Sequence, residues 1–206
     1  MKKNSKEQLF INAFKLFLTK HYERVSITDL EEATGKTRGA LFYYSANKQK
    51  LFQDVVDACF FQSHDIVDAL NSIKHEHSKG CNLLEFIHDY VRVVDTKMDK
   101  LGKFLNMSKS DATRAYLSFL LTAHDYYPNF LQKMNAIHNL ELALWEKKLQ
   151  EAQDSGEIKL NIHVEYHASI FRNFFLGYCF QNSFNNGIVP AELEFYLFSI
   201  YRMIKR

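Results

Sequence analysis

The residues with types and spacing suited to chemistry lie between positions 26 and 48. Thr37-Arg38-Gly39-Ala40 supplies one hydroxyl, one guanidinium and two side chains too small to obstruct a close approach. A helix that opens this way is narrow and polar enough at its start to enter a DNA major groove, about 12 Å wide. Tyr43 and Tyr44 add phenol donors for phosphate oxygens, and Lys48 stands where a further helix begins. Its ammonium and the positive helix end both favour the same anion. Ser26 and Thr28, at the start of the preceding short helix, complete this DNA-facing set. Enzyme chemistry has no comparable constellation: the chain contains no GxGxxG, P-loop or GxSxG. His163-x-x-x-His167 has the i, i+4 spacing of metal ligands, but without the HExxH order or an evident third ligand exposed histidines are the better reading. No catalytic residue, metal or cofactor is expected.

The elements that must hold these residues are helical. Two prolines and seven glycines in 206 residues are too few to turn an all-β chain, and Asn186-Gly187 is its one Asn-Gly pair. Leu9, Phe10, Ala13, Leu16 and Phe17 follow the helical rhythm. Ser26 with Asp29 three positions on forms a variant capping box for a second helix, which Gly35 stops. Thr37 caps a third helix running to about Tyr44, and Lys48 opens a long fourth reaching about Leu70. Gly80 ends that region, and further helices are expected from Asn82 to Leu101, closed by Gly102, and from Ser110 to Tyr126. Another, with Pro128 in its first turn, runs to about Asp154, and the last two span His163 to Asn185 and Pro190 towards Arg206. Two short helices across a glycine turn, with a supporting helix before them, describe a helix-turn-helix. The reading is all-α, with a helix-turn-helix head (1–46) and a helical ligand-binding and dimerising body (47–206).

The overall charge of +2 conceals a division. Residues 1–50 carry ten basic and five acidic side chains, against sixteen and nineteen in 51–206. A basic end on a near-neutral chain fits a polyanionic partner for that end alone. Three cysteines without a CxxC pair imply neither a disulfide framework nor a zinc site. The start lacks the apolar stretch of a signal peptide, and the longest uncharged run, 173–191, is too polar to span a membrane. A cytoplasmic protein with reduced thiols is expected.

The head has a specific likeness. Leu9-Phe10-x-Asn12-Ala13-x-x-Leu16-Phe17, Ser26-Ile27-Thr28-Asp29-Leu30, Ala33-Thr34-Gly35-Lys36-Thr37-Arg38-Gly39-Ala40-Leu41-Phe42-Tyr43-Tyr44 and Asn47-Lys48-x-x-Leu51 together resemble the TetR family of transcriptional regulators over about 45 residues. The resemblance implies base readout by Arg38 and Thr37, a near-palindromic double-stranded operator, and repression relieved by a small hydrophobic or aromatic effector. Four positions depart from the pattern: His21 for glycine, Glu31 for alanine, Phe42 for a phosphate-contacting tyrosine and Ser45 for a buried phenylalanine. Glu31 is expected to turn to solvent, and Ser45 to leave the recognition helix less firmly seated.

Beyond the head, the last two helices are apolar around most of their circumference, from Ile170 to Phe184 and from Leu193 to Ile204. Such helices need cover on all sides, which a two-fold partner provides, and the resemblance implies the same homodimer. The middle helices are rich in aromatic and soft residues, consistent with a ligand cavity having apolar walls and a few polar groups. The candidates are Phe104, Met107, Phe119, His124, Tyr127, Phe130, Trp145, Phe171, Asn173, Phe175 and Tyr178. A helical ligand carrier or metal-dependent enzyme, its head mediating protein contacts, is the alternative.

Overall fold

Apolar residues at helical spacing generate every long element, and glycine and asparagine end several of them. The computed structural model describes residues 5–61 and 82–206. In chain order the helices are α1 (Ser5–Thr19), α2 (Ile27–Thr34), α3 (Arg38–Tyr44), α4 (Lys48–Val55), α5 (Leu83–Leu105), α6 (Lys109–Tyr126), α7 (Phe130–Asp154), α8 (Val164–Ser183) and α9 (Pro190–Ile204). A single 3-10 turn, Tyr22–Arg24, follows α1, and α4 passes into a π-helical stretch, Val56–Phe61. Among the described residues no strand forms, only an isolated bridge between Ile158 and Lys205. The expected helix end at Gly80 and the continuation to Leu70 lie outside the described residues.

Two expected boundaries move. Gly102 does not close a helix: α5 runs on to Leu105 and ends at Asn106, whose φ of 57° is left-handed. Gly102 is instead the point where the returning chain comes close, since a Cβ there would lie 3.1 Å from the Met107 carbonyl oxygen. Pro128 likewise precedes its helix, because Asn129 takes a φ of 60° and α7 starts at Phe130.

Packing divides the chain into two compact units, Met1–His64 with Arg114–Lys133, and Asp65–Thr113 with Met134–Arg206. This grouping differs from a cut between residues 46 and 47, because aromatic side chains of α6 and α7 join the first unit. Phe119 meets Phe14 edge-on with ring centroids 5.4 Å apart, and Phe60 lies 5.4 Å from Phe119 and 6.3 Å from Phe130. Around them Leu30, Leu41, Leu51 and Phe52 are fully buried, each worth about 1.5–3 kcal/mol of transfer free energy.

The second unit is built on α5, the remainder of α7, α8 and α9. Its core contains Ile87, Tyr90, Trp145, Leu149, Phe171, Leu193 and Leu197. Glu157 ties its ends together: one carboxylate oxygen accepts from the Leu83 backbone N–H at 3.1 Å, the other from the Tyr201 hydroxyl at 3.0 Å. No helix of the described residues is long and apolar enough to cross a membrane.

Candidate nucleic-acid interface

The start of α2 forms as its sequence demands. The Ser26 hydroxyl accepts from the Asp29 N–H at 3.0 Å, and Asp29 Oδ2 accepts from the Ser26 N–H at 2.7 Å, closing the capping box. Lys20 at the end of α1 donates to the same carboxylate at 2.6 Å. These hydrogen bonds, that from Lys20 foremost, hold Asp29 well below the usual carboxylate range. Gly35, at φ 63°, then turns the chain through the left-handed region, where a side chain would be strained.

Two contacts seat α3 on this platform. Thr37 caps it through the Ala40 N–H at 3.4 Å, and the Arg38 N–H donates to Glu31 Oε1 at 2.6 Å. Glu31 is half-buried and occupied in capping α3, not simply turned to solvent. At the other end Ser45 is buried, and its hydroxyl donates to Asp54 Oδ2 at 2.7 Å. That bond ties the end of α3 to α4 where a buried phenylalanine would otherwise seat it, while the fully buried Phe52 packs against Phe17 and Tyr22. Leu41 anchors the middle of the helix, while the Arg38 guanidinium lies 5.7 Å from the half-buried Phe42 ring.

The exposed surface that results carries Ser26, Thr28, Thr37, Arg38, Gly39 and Tyr43, the last 83% exposed. Tyr44 is half-buried against Tyr43, ring centroids 5.2 Å apart. Lys48 is held more tightly than its sequence position implies. Its Nζ donates to the Val25 carbonyl at 2.7 Å and sits 4.3 Å from the Tyr22 ring centroid. Burial lowers its pKa from the ordinary lysine value, against the attraction of Glu23 and Asp29. Sequence reasoning missed the group around Tyr22. Tyr126 of α6 packs on it at 4.3 Å, and its hydroxyl donates to Glu23. That bond raises the Tyr126 pKa to about 12. One residue on, Tyr127 donates to Asp57 at 2.6 Å, and Lys133 donates to Asp57 at 2.5 Å. No local spacing announces contacts between positions 103 and 70 residues apart.

The ligand candidates divide between the units. Phe119, Tyr127 and Phe130 belong to the first, where they pack with Phe60 and Phe61. Trp145, Phe171, Phe175 and Tyr178 belong to the second, with Tyr90 5.0 Å from Trp145 and 5.2 Å from Phe175. Phe104 is half-buried, whereas Met107, His124 and Asn173 are exposed, His124 beside Asp125 at 3.0 Å. The structure thus assembles two aromatic clusters from seven of the eleven residues. His167 Nδ1 donates within its own helix to the His163 carbonyl at 2.9 Å. Among the described residues no group of three or more His, Cys, Asp or Glu side chains is arranged to hold a metal ion.

This is an all-α architecture with a helix-turn-helix in its first unit. Solved structures extend the likeness to the whole chain, and the fold is that of the TetR-family transcriptional regulators. A TetR-family regulator from Rhodococcus sp. superposes with a TM-score of 0.65 at 11% identity, covering 97% of this chain and 98% of that one. Reduced NemR of E. coli gives 0.63 at 15% identity, with 98% of each chain covered. KstR2, the ketosteroid transcriptional regulator of Mycobacterium tuberculosis, gives 0.60 at 12% identity over 100% of this chain and 97% of its own. In sequence, the HTH-type transcriptional repressor AcnR of Corynebacterium efficiens is 43% identical over 49 residues. The match spans 24% of this chain and about a quarter (26%) of that protein. The HTH-type negative transcriptional regulator IcaR of Staphylococcus epidermidis is 24% identical over 96 residues, 47% of this chain and 50% of its own. No protein-family profile matches the chain.

Proposed function

We propose that this protein is a sequence-specific DNA-binding transcriptional regulator of the TetR type, acting as a repressor. The observation that carries this reading is the capped α2–turn–α3 platform, which leaves Thr37, Arg38, Gly39 and Tyr43 exposed on one short helix. The 49-residue match to a transcriptional repressor and the basic excess of the first fifty residues support it. Residues 1–46 are the DNA-binding head in this reading. Arg38 and Thr37 meet base edges, while Ser26, Thr28, Gly39, Tyr43, Tyr44 and Lys48 lie against the backbone.

The active species is a homodimer through α8 and α9. Phe180, Phe184, Phe195 and Met203 are each more than 60% exposed, and Ile170, Leu176 and Tyr196 extend the same apolar surface. Phe180 meets Phe184 and Phe195 meets Tyr196 edge-on, and exposed apolar side chains grouped on two successive helices favour burial against a partner. Two copies would meet half-sites one helical turn, about 34–36 Å, or a multiple apart on a near-palindromic operator. A small hydrophobic or aromatic effector bound in the body favours one arrangement of the two heads. Its differential affinity for the two states sets operator occupancy.

The test is fluorescence anisotropy with DNA from the region upstream of the protein's own coding sequence. Binding that is tighter there than to random DNA, and weakens with salt, is the expected result. Equal affinity for both DNAs at every salt concentration overturns the reading.

A further inference from the structure

Arg172 and Glu141 form a buried pair that does not close. Their side chains are only 12% and 8% exposed, and Arg172 Nε stands 3.6 Å from Glu141 Oε2, too long for a hydrogen bond. Arg172 Nε and Nη2, the two nitrogens on the side of the guanidinium that grips an acceptor, have no hydrogen-bond partner. Neither has the indole Nε1 of Trp145, a residue with no exposed surface. Tyr90 joins the groups into one layer of the second unit. Its hydroxyl donates to Glu141 Oε1 at 2.6 Å, and its ring lies 5.0 Å from that of Trp145. Trp145 stacks on Phe171, the neighbour of Arg172 in sequence, at 4.8 Å with planes 10° apart. The layer reaches outward at His138, a half-buried residue one turn before Glu141 whose pKa is lowered by burial and then by the Arg172 charge.

Buried donors without acceptors are rare, because they have lost hydration and gained nothing in return. A guest that supplies acceptors restores the balance. Its charge is constrained, since Glu141 and Arg172 already neutralise one another and a guest carboxylate would leave a net negative charge out of water. An uncharged oxygen does not incur that cost, and the surrounding rings suit an apolar body. We propose that this layer binds an uncharged apolar or aromatic molecule through a hydroxyl or carbonyl oxygen that accepts from Arg172 and Trp145. The inference rests on the effector reading above and gives that effector a chemical class.

Trp145 is the one tryptophan of the chain, so indole emission reports on this layer directly. The full-length protein, without DNA, is titrated with benzyl alcohol, toluene and benzoate. Benzyl alcohol should change the emission saturably and bind about tenfold or more tighter than toluene, the effect of one regained hydrogen bond, with benzoate weakest. In Arg172→Met, benzyl alcohol should lose most of its advantage over toluene, with the Trp145 indole as the remaining donor, while toluene binding is retained. If that variant loses toluene as well, its core has collapsed and the wild-type series decides. Benzoate binding tightest, toluene matching benzyl alcohol, or no saturable change with any of the three overturns the proposal. A protein that binds its upstream DNA but none of these probes keeps the regulator reading and loses this site.

Discussion

Arg38 does two jobs with two different groups. Its backbone N–H is committed to Glu31, which locks the first turn of α3 against α2, while its side chain stays exposed beside the Phe42 ring. The stacked position restrains the guanidinium without consuming its hydrogen-bond donors, so the fork remains available for a guanine edge. Arg38→Ala should therefore cost about 1–3 kcal/mol of discrimination at one base pair while non-specific affinity falls much less. A binding-site selection carried out on both proteins measures this, and an unchanged sequence preference would remove the base-reading role. Tyr43 contrasts with it: its side chain is 83% exposed, and its ring meets that of its neighbour Tyr44 edge-on.

At the scale of the element, α2 depends on a carboxylate that must stay ionised. The folded protein lowers the pKa of Asp29, so its contribution is present above the ordinary aspartate value, about 3.9, and is lost as pH falls towards the depressed folded value. Asp29→Asn should weaken the capping box near neutrality and flatten the fall in stability on the acid side. Urea midpoints measured from neutral pH downwards test this, and parallel curves for the two proteins would show that Asp29 carries no linkage. A second element-scale constraint lies between α8 and α9. Gly187 has a φ of 75°, and a Cβ there would stand 2.8 Å from the Ser110 Cα. Backbone strain and a clash with main chain act together, so Gly187→Ala should destabilise by more than about 1 kcal/mol. An unchanged denaturation midpoint would contradict that geometry.

For the whole molecule, α8 and α9 bury one face and leave another apolar face uncovered. Phe171, Tyr178, Leu193, Leu197 and Tyr201 enter the core, while Phe180 and Phe184 meet edge-on at 5.2 Å on the outside. Phe184→Glu places a charge at a position 70% exposed in the single chain. It should leave the folded chain stable within about 0.5 kcal/mol, as an exposed substitution does, yet shift sedimentation from dimer to monomer. A variant that sediments like the parent would move the interface elsewhere. Loss of the dimer should also weaken operator binding, because each head then meets its half-site alone.

How much could be read in advance depended on how far apart the interacting residues lie in the chain. The helix-turn-helix was legible because caps act over three residues: Ser26 with Asp29 and Thr37 with Ala40. The apolar character of α8 and α9 was legible for a related reason, since helical periodicity shows how much of a circumference needs cover. What Glu31 and Ser45 do was not legible, because their partners, the Arg38 N–H and Asp54, are brought near only by the turn and by α4 folding back. The middle aromatics were harder still. Composition announced that rings would pack, but only the tertiary structure assigned Phe119 and Phe130 to one cluster and Trp145 and Phe171 to another. The sequence by itself determined the helical class, the capped head and its exposed polar start, because those follow from local hydrogen bonds and a repeating period. The grouping of the rings, the Tyr126 contact with Glu23 and the open Glu141–Arg172 pair were decided by tertiary structure alone, because side-chain contacts between helices have no local signature.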